Sequence, residues 1–75
     1  MKLYDLYKSL DTDSRKALAE KAGIDAGYLW QIATKWRGKK PSVDVIAKLV
    51  RADSRLKADD LIAEFADDEA ESGHV

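Results

Sequence analysis

Leu3, Leu6, Tyr7 and Leu10 open the chain at spacings i, i+3, i+4 and i+7, the one-sided stripe of an amphipathic helix. Asp11-Thr12-Asp13-Ser14 interrupts that stripe with four residues that favour caps and turns. A second helix is expected from near Ser14 to Ala22, with Ala17, Leu18, Lys21 and Ala22 on or beside its buried side. Gly23 stops it, because glycine adopts the backbone of a helix end at little cost. Ile24 then fills the angle between two helices, and Asp25 is a good N-cap for the next.

The third helix is expected over about Ala26 to Lys35. Projected at roughly 100° per residue, Leu29, Ile32, Ala33 and Trp36 fall on one arc, and Trp36 is read as core. Gly27, Gln31 and Thr34 centre on the opposite arc, with Tyr28, Trp30 and Lys35 on its flanks. Lys35-Trp36-Arg37-Gly38-Lys39-Lys40-Pro41 reads as a loop closed by the chain's single proline. Ser42 caps a fourth helix in which Val45, Ile46, Leu49 and Val50 face inward. Ala52-Asp53-Ser54-Arg55 is a break, and Ala58, Leu61, Ile62 and Phe65 form a fifth helical stripe. No internal repeat is visible and no alternation is strong enough for a strand. Strands within residues 36–60 were the alternative, and Asp44, Asp53 and the Val45-Ile46-Leu49-Val50 stripe favour helix there. The pattern therefore predicts an all-α fold of five helices over residues 1–66. An acidic tail over residues 67–75 has little to bury and is expected to be disordered.

Composition narrows the chemistry. Seventy-five residues make one small domain. The chain has no cysteine, and its one histidine is His74, so it offers little for zinc or for nucleophilic catalysis. The expectation is a protein that is not an enzyme, with no catalytic residue, no metal and no cofactor. No apolar run approaches the ~20 residues of a membrane span, and no signal peptide opens the chain, which points to a reducing, cytoplasmic setting.

A net charge of −1 argues against nucleic acid if it is taken whole. Its distribution argues the other way. Asp67, Asp68, Glu69 and Glu71 lie in the tail, and without them thirteen cations face ten acids, leaving +3 on residues 1–66. Lys35, Arg37, Lys39 and Lys40 fall within six residues that contain no acid.

The run Arg15-x-x-x-Ala19-x-x-x-Gly23-x-x-x-x-x-Leu29-x-x-Ile32, followed by Lys39-Lys40-Pro41-Ser42, resembles the Cro/CI-type helix-turn-helix domains, also called the XRE family. Tyr28-Leu29-x-Gln31-Ile32 looks like that family too, and the resemblance covers roughly residues 3–66. Ala19 suits a close helix crossing, Gly23 supplies the turn, and Leu29 and Ile32 lock the second helix of the pair onto the core. Two positions depart from the pattern. The loop after the third helix is about a residue longer than the common form. Ala26 and Gly27 stand where relatives often carry polar, base-reading side chains, and neither can pair with a base edge. The resemblance implies a lambda-repressor-like domain with helices two and three as the helix-turn-helix. The short chain and its Trp36-Arg37-Gly38-Lys39-Lys40 loop suggest a phage- or prophage-borne Cro-like repressor acting on the bacterial nucleoid.

On that reading the third helix enters the major groove of double-stranded DNA. Arg15, Lys35, Arg37, Lys39 and Lys40 are expected on phosphates, and five contacts per subunit imply a log–log salt slope of roughly −4 to −5. Gln31 is the expected base reader, since a carboxamide pairs bidentately with adenine. Thr34, Tyr28 and Trp30 flank it, and Ala26 and Gly27 allow close approach of the backbone. One helix reads too few bases for useful specificity, so a homodimer on DNA is expected, with Leu61, Ile62 and Phe65 as its surface. No membrane and no small-molecule ligand are implied. Two other readings compete: an antitoxin-like or anti-repressor module acting through a protein partner, and a non-specific nucleic-acid binder.

Overall fold

Among the described residues, four of the five helices begin where a side-chain oxygen takes up a free backbone amide. The computed structural model describes the backbone of residues 1–72 and the side chains of residues 1–66. It contains α1 (Leu3–Ser9), α2 (Thr12–Ala22), α3 (Ala26–Ala33), α4 (Val43–Ala52) and α5 (Ala58–Ser72), with a short 3₁₀ turn at Trp36–Gly38. No strand occurs among the described residues.

Asp11 accepts the Ser14 amide at 2.8 Å, so α2 starts at Thr12, two residues earlier than Ser14 suggested. Asp25 accepts the amides of Gly27 at 2.9 Å and Tyr28 at 3.3 Å, which starts α3. Ser42 does the same for α4 through the Val45 amide. Each cap satisfies a donor that the first helical turn would otherwise leave free. The fourth cap, on α1, comes from α5: buried Glu64 accepts the Leu3 amide at 2.7 Å and the Tyr4 amide at 3.2 Å.

Gly23 ends α2 at φ +71° and ψ 31°. The Gly23 amide donates to Glu20 and the Ile24 amide to Ala19, both at 3.0 Å, the paired bonds of a Schellman turn. That turn lets α3 leave α2 within three residues and pack back on it. α3 also packs on α1, while α2 packs on α4 and α4 on α5.

The core that these contacts enclose is built from Leu3, Leu6, Leu18, Leu29, Ile32, Ile46, Leu49, Leu56, Leu61 and Phe65, with Ala19, Ala22 and Ala33 where helices approach closely. The expected stripes of the first, third and fourth helices supply most of it.

Several expectations are corrected. Ala17 and Lys21 are exposed, and Ala19 takes the inward place, because α2 presents its Leu18–Ala22 edge to α3 and α4. The third helix stops at Ala33 rather than continuing to Lys35, and the chain turns away before Trp36. Trp36 is consequently 37% exposed and lies outside the core. In α5, Leu61 and Phe65 are buried, so of the three proposed dimer residues only Ile62, 57% exposed, is open to a partner. α5 continues to Ser72, past residue 67 where the acidic tail was expected to begin. Residues 73–75 of the expected tail lie outside the described residues.

Candidate nucleic-acid interface

Leu29, Ile32 and Ala33 fasten α3 to the core by one side. That leaves Ala26, Gly27, Trp30 and Thr34 exposed, and Gln31 and Tyr28 half-buried. Tyr28 packs against the core cluster, so part of its ring is structural. Gln31 makes no hydrogen bond to the described residues, and its amide is available to an outside partner. Thr34 is less available, because its hydroxyl donates to the Trp30 carbonyl at 2.7 Å.

Gly27 has a local explanation. A Cβ built there would lie 2.9 Å from the Asp25 Oδ2 atom, so the space beside it is occupied by the carboxylate that caps α3. The bare first turn of α3 follows from its own cap.

Past Thr34 the backbone takes an unusual course. Lys35 sits at φ +56°, Arg37 at φ +54° and Gly38 at φ +72°, three left-handed residues within four. For the two with side chains this costs about 1–2 kcal/mol each. Amide bonds from Gly38 to Lys35 at 2.9 Å and from Lys39 to Trp36 at 3.0 Å hold the turns closed. The course has one visible consequence: it folds Trp36 back beside Trp30, with ring centroids 6.0 Å apart and planes inclined by 47°. The Arg37 guanidinium lies 4.5 Å from the Trp36 ring centre, a cation–π distance.

The five cations expected on phosphates separate into two groups. Arg37, Lys39 and Lys40 belong to this loop and form no ion pair among the described residues. Arg15 is engaged elsewhere: its Nε donates to the Tyr7 carbonyl at 2.9 Å and its guanidinium lies 4.2 Å from the Tyr7 ring centre. It clamps α1 to α2. Lys35 turns toward α5, donating from Nζ to the Glu64 carbonyl at 3.2 Å and lying 5.6 Å from the Phe65 ring centre.

Sequence reasoning missed the pairing of Trp30 with Trp36, the buried Glu64 and the fully buried Leu56. Glu64 left a faint signal, since it stands three residues after Leu61 and one before Phe65, on the inward arc of the stripe. Leu56 left none, being a lone apolar residue between helices.

Among the described residues, the two carboxyls whose acidity is clearly altered lie away from α3. Hydrogen bonds from Ser14, the backbone amide first, hold Asp11 below the usual carboxylate range. Those from the Arg55 guanidinium do the same for Asp53. Among the described residues no group of His, Cys, Asp or Glu is arranged to hold a metal ion, and no helix is long and apolar enough to cross a membrane. Comparison with protein-family models, with curated proteins and with solved structures gives no match.

Proposed function

We propose that this chain is a sequence-specific DNA-binding transcriptional regulator, with α2 and α3 as a helix-turn-helix and α3 in the major groove of its operator. One observation carries the reading. α3 is fixed to the core by one face and runs directly into a cationic loop, and no acid occurs from residue 26 to residue 43. A short rigid helix beside an unopposed basic loop matches what a groove demands, base edges in the centre and phosphates on the wall.

In this arrangement Gln31 reads a base edge, and Arg37, Lys39 and Lys40 contact phosphates. Arg15 and Lys35 support the fold instead. Three phosphate contacts per subunit lower the expected salt slope to roughly −3. A homodimer supplies the second half-site about 34 Å away. Its surface on this reading centres on Ile62 and on Val43, which is 83% exposed and lines the same groove beside Lys40 and Pro41. Occupying an operator in this way represses by excluding polymerase.

Selection from a genomic DNA library, with anisotropy of the best site at two salt concentrations, tests the proposal. A palindrome with half-sites about ten base pairs apart, bound at least ~10³-fold over random DNA, supports it. Absence of duplex binding at low salt overturns it. A second reading, an antitoxin-like module acting through a protein, draws on the same exposed Val43 and Ile62. It predicts a stable heteromeric complex and little salt-dependent DNA affinity.

A further inference from the structure

We propose that Trp30 and Trp36, with Arg37 stacked on the latter, form a platform for unpaired nucleobases, so that this loop binds single-stranded nucleic acid in addition to any duplex site. The inference rests on the nucleic-acid reading of the same face, and it names a ligand class that a duplex operator does not require.

The chain has two tryptophans, and neither is in the core. They are 43% and 37% exposed and lie beside each other, although they come from opposite sides of a helix end. The backbone between them passes through a left-handed conformation at Lys35, which is not glycine, and Arg37 on the far side of Trp36 is left-handed too. Trp36 itself adds little to the core, because it lies beside Trp30 at the surface instead of on the inward arc expected of a longer third helix. With planes inclined by 47°, the two rings do not stack flat on each other, and aromatic surface remains uncovered.

The polar groups nearby suit base faces better than base edges. Ala26 and Gly27 have no hydrogen-bonding side chain, and the Thr34 hydroxyl is already donated to the Trp30 carbonyl. Gln31 alone remains for an edge. A duplex hides its base faces, whereas a single strand offers both π faces and phosphates. Indole rings beside cations are the combination that takes both. Arg37, Lys39 and Lys40 supply the charge, and the absence of acid from residue 26 to residue 43 leaves it unopposed. The same absence disfavours a basic protein as the occupant.

Both tryptophans belong to the platform, so fluorescence of the unmodified protein, excited at the red edge where its three tyrosines absorb little, reports this site. The protein is titrated at low salt with an oligothymidylate of about ten nucleotides, with a duplex of the same length, and with inorganic polyphosphate. The expected result is quenching by the single strand and about a tenfold loss of its affinity in Trp30→Ala. Trp30→Phe should retain most of the affinity, and the thermal midpoint of each variant is measured alongside to show that it is folded. No single-strand binding where the duplex binds overturns the platform and leaves the duplex reading standing. Failure of both ligands removes both readings. Equal binding of polyphosphate, or unchanged affinity in Trp30→Ala and Trp36→Ala, reduces the site to charge alone and overturns the proposal. So does a fluorescence change that depends only on protein concentration, since a second copy would then be covering the rings.

Discussion

The carboxylate of Glu64 accepts the backbone amide of Leu3 at 2.7 Å, closing the start of α1 with a residue 61 positions further along the chain. Its second oxygen accepts the Tyr4 amide, and its own carbonyl receives the Lys35 ammonium. One residue of α5 therefore ties down both the first helix and the beginning of the basic loop. The Met1 ammonium pairs with Asp60 one turn earlier on α5, so the chain start is held at two points.

Glu64→Ala leaves two amides at the α1 terminus without an acceptor, one of them buried. The expected loss is about 2 kcal/mol. In a domain of this size that lowers the thermal midpoint by roughly 10 °C. Glu64→Gln keeps one acceptor oxygen and should lose about half as much. Circular dichroism melts of the three proteins decide it, and equal midpoints for Glu64→Ala and the parent would show that the cap contributes nothing.

Lys35 and Lys39 should part company in a salt titration. Lys39→Ala removes one loop cation and is expected to flatten the log–log slope of duplex binding by about 1. Lys35→Ala should leave that slope unchanged and instead cost up to about 1 kcal/mol of stability, through its bond to the Glu64 carbonyl. A slope change in Lys35→Ala as large as in Lys39→Ala would place both cations on the phosphate backbone.

Gly23→Ala isolates backbone strain from crowding. Nothing lies within 4 Å of a Cβ at that position, so the cost is the left-handed conformation alone. About 1 kcal/mol is expected in urea unfolding, with Gly23→Asn less affected because asparagine tolerates that region better. A neutral Gly23→Ala would mean that the α2–α3 turn relaxes to another geometry.

Acid should weaken the fold partly through Asp53. The Arg55 guanidinium donates to both of its oxygens, from Nε at 3.0 Å and from Nη2 at 2.7 Å, and holds the carboxyl below the usual range. The unfolded chain titrates near the ordinary value of about 3.9. The folded state thus binds fewer protons, and the contribution is complete above that value and is lost as pH falls through the lower, folded one. At pH 7 Asp53→Asn should be less stable by at most about 1 kcal/mol, the scale of a half-exposed ion pair. The gap between parent and variant should close as pH falls from about 5 toward 2. A gap that stays constant over that range would assign the cost to something other than charge.

Helix content was legible wherever apolar residues recur at helical spacing, as in Leu3-Leu6-Tyr7-Leu10 and Val45-Ile46-Leu49-Val50, because burial of one face follows directly from that spacing. The turn at Gly23 and the caps at Asp25 and Ser42 were legible for the same reason, being interactions within a few residues. At the candidate site, position and type put Gln31 on the third helix and Arg37, Lys39 and Lys40 in the loop after it, and that is where they lie. Helical projection failed at Trp36 because it assumes that the helix continues, whereas α3 ends at Ala33 and left-handed Lys35 redirects the chain before Trp36. At Arg15 and Lys35, charge alone does not reveal what the side chain reaches. The Tyr7 carbonyl and the Glu64 carbonyl lie 8 and 29 residues away along the chain.

Local spacing and capping residues were enough to establish that the chain is helical, where α3 and α4 begin, and which faces of α1, α3 and α4 turn inward, since those depend on capping bonds and periodic burial within one element. Tertiary structure alone decided that Glu64 caps α1, that Leu56 fills the core, that Leu61 and Phe65 are closed to a partner, and that two tryptophans meet at the surface. Each of these is a contact between segments distant along the chain, and local spacing carries no record of which distant surfaces meet.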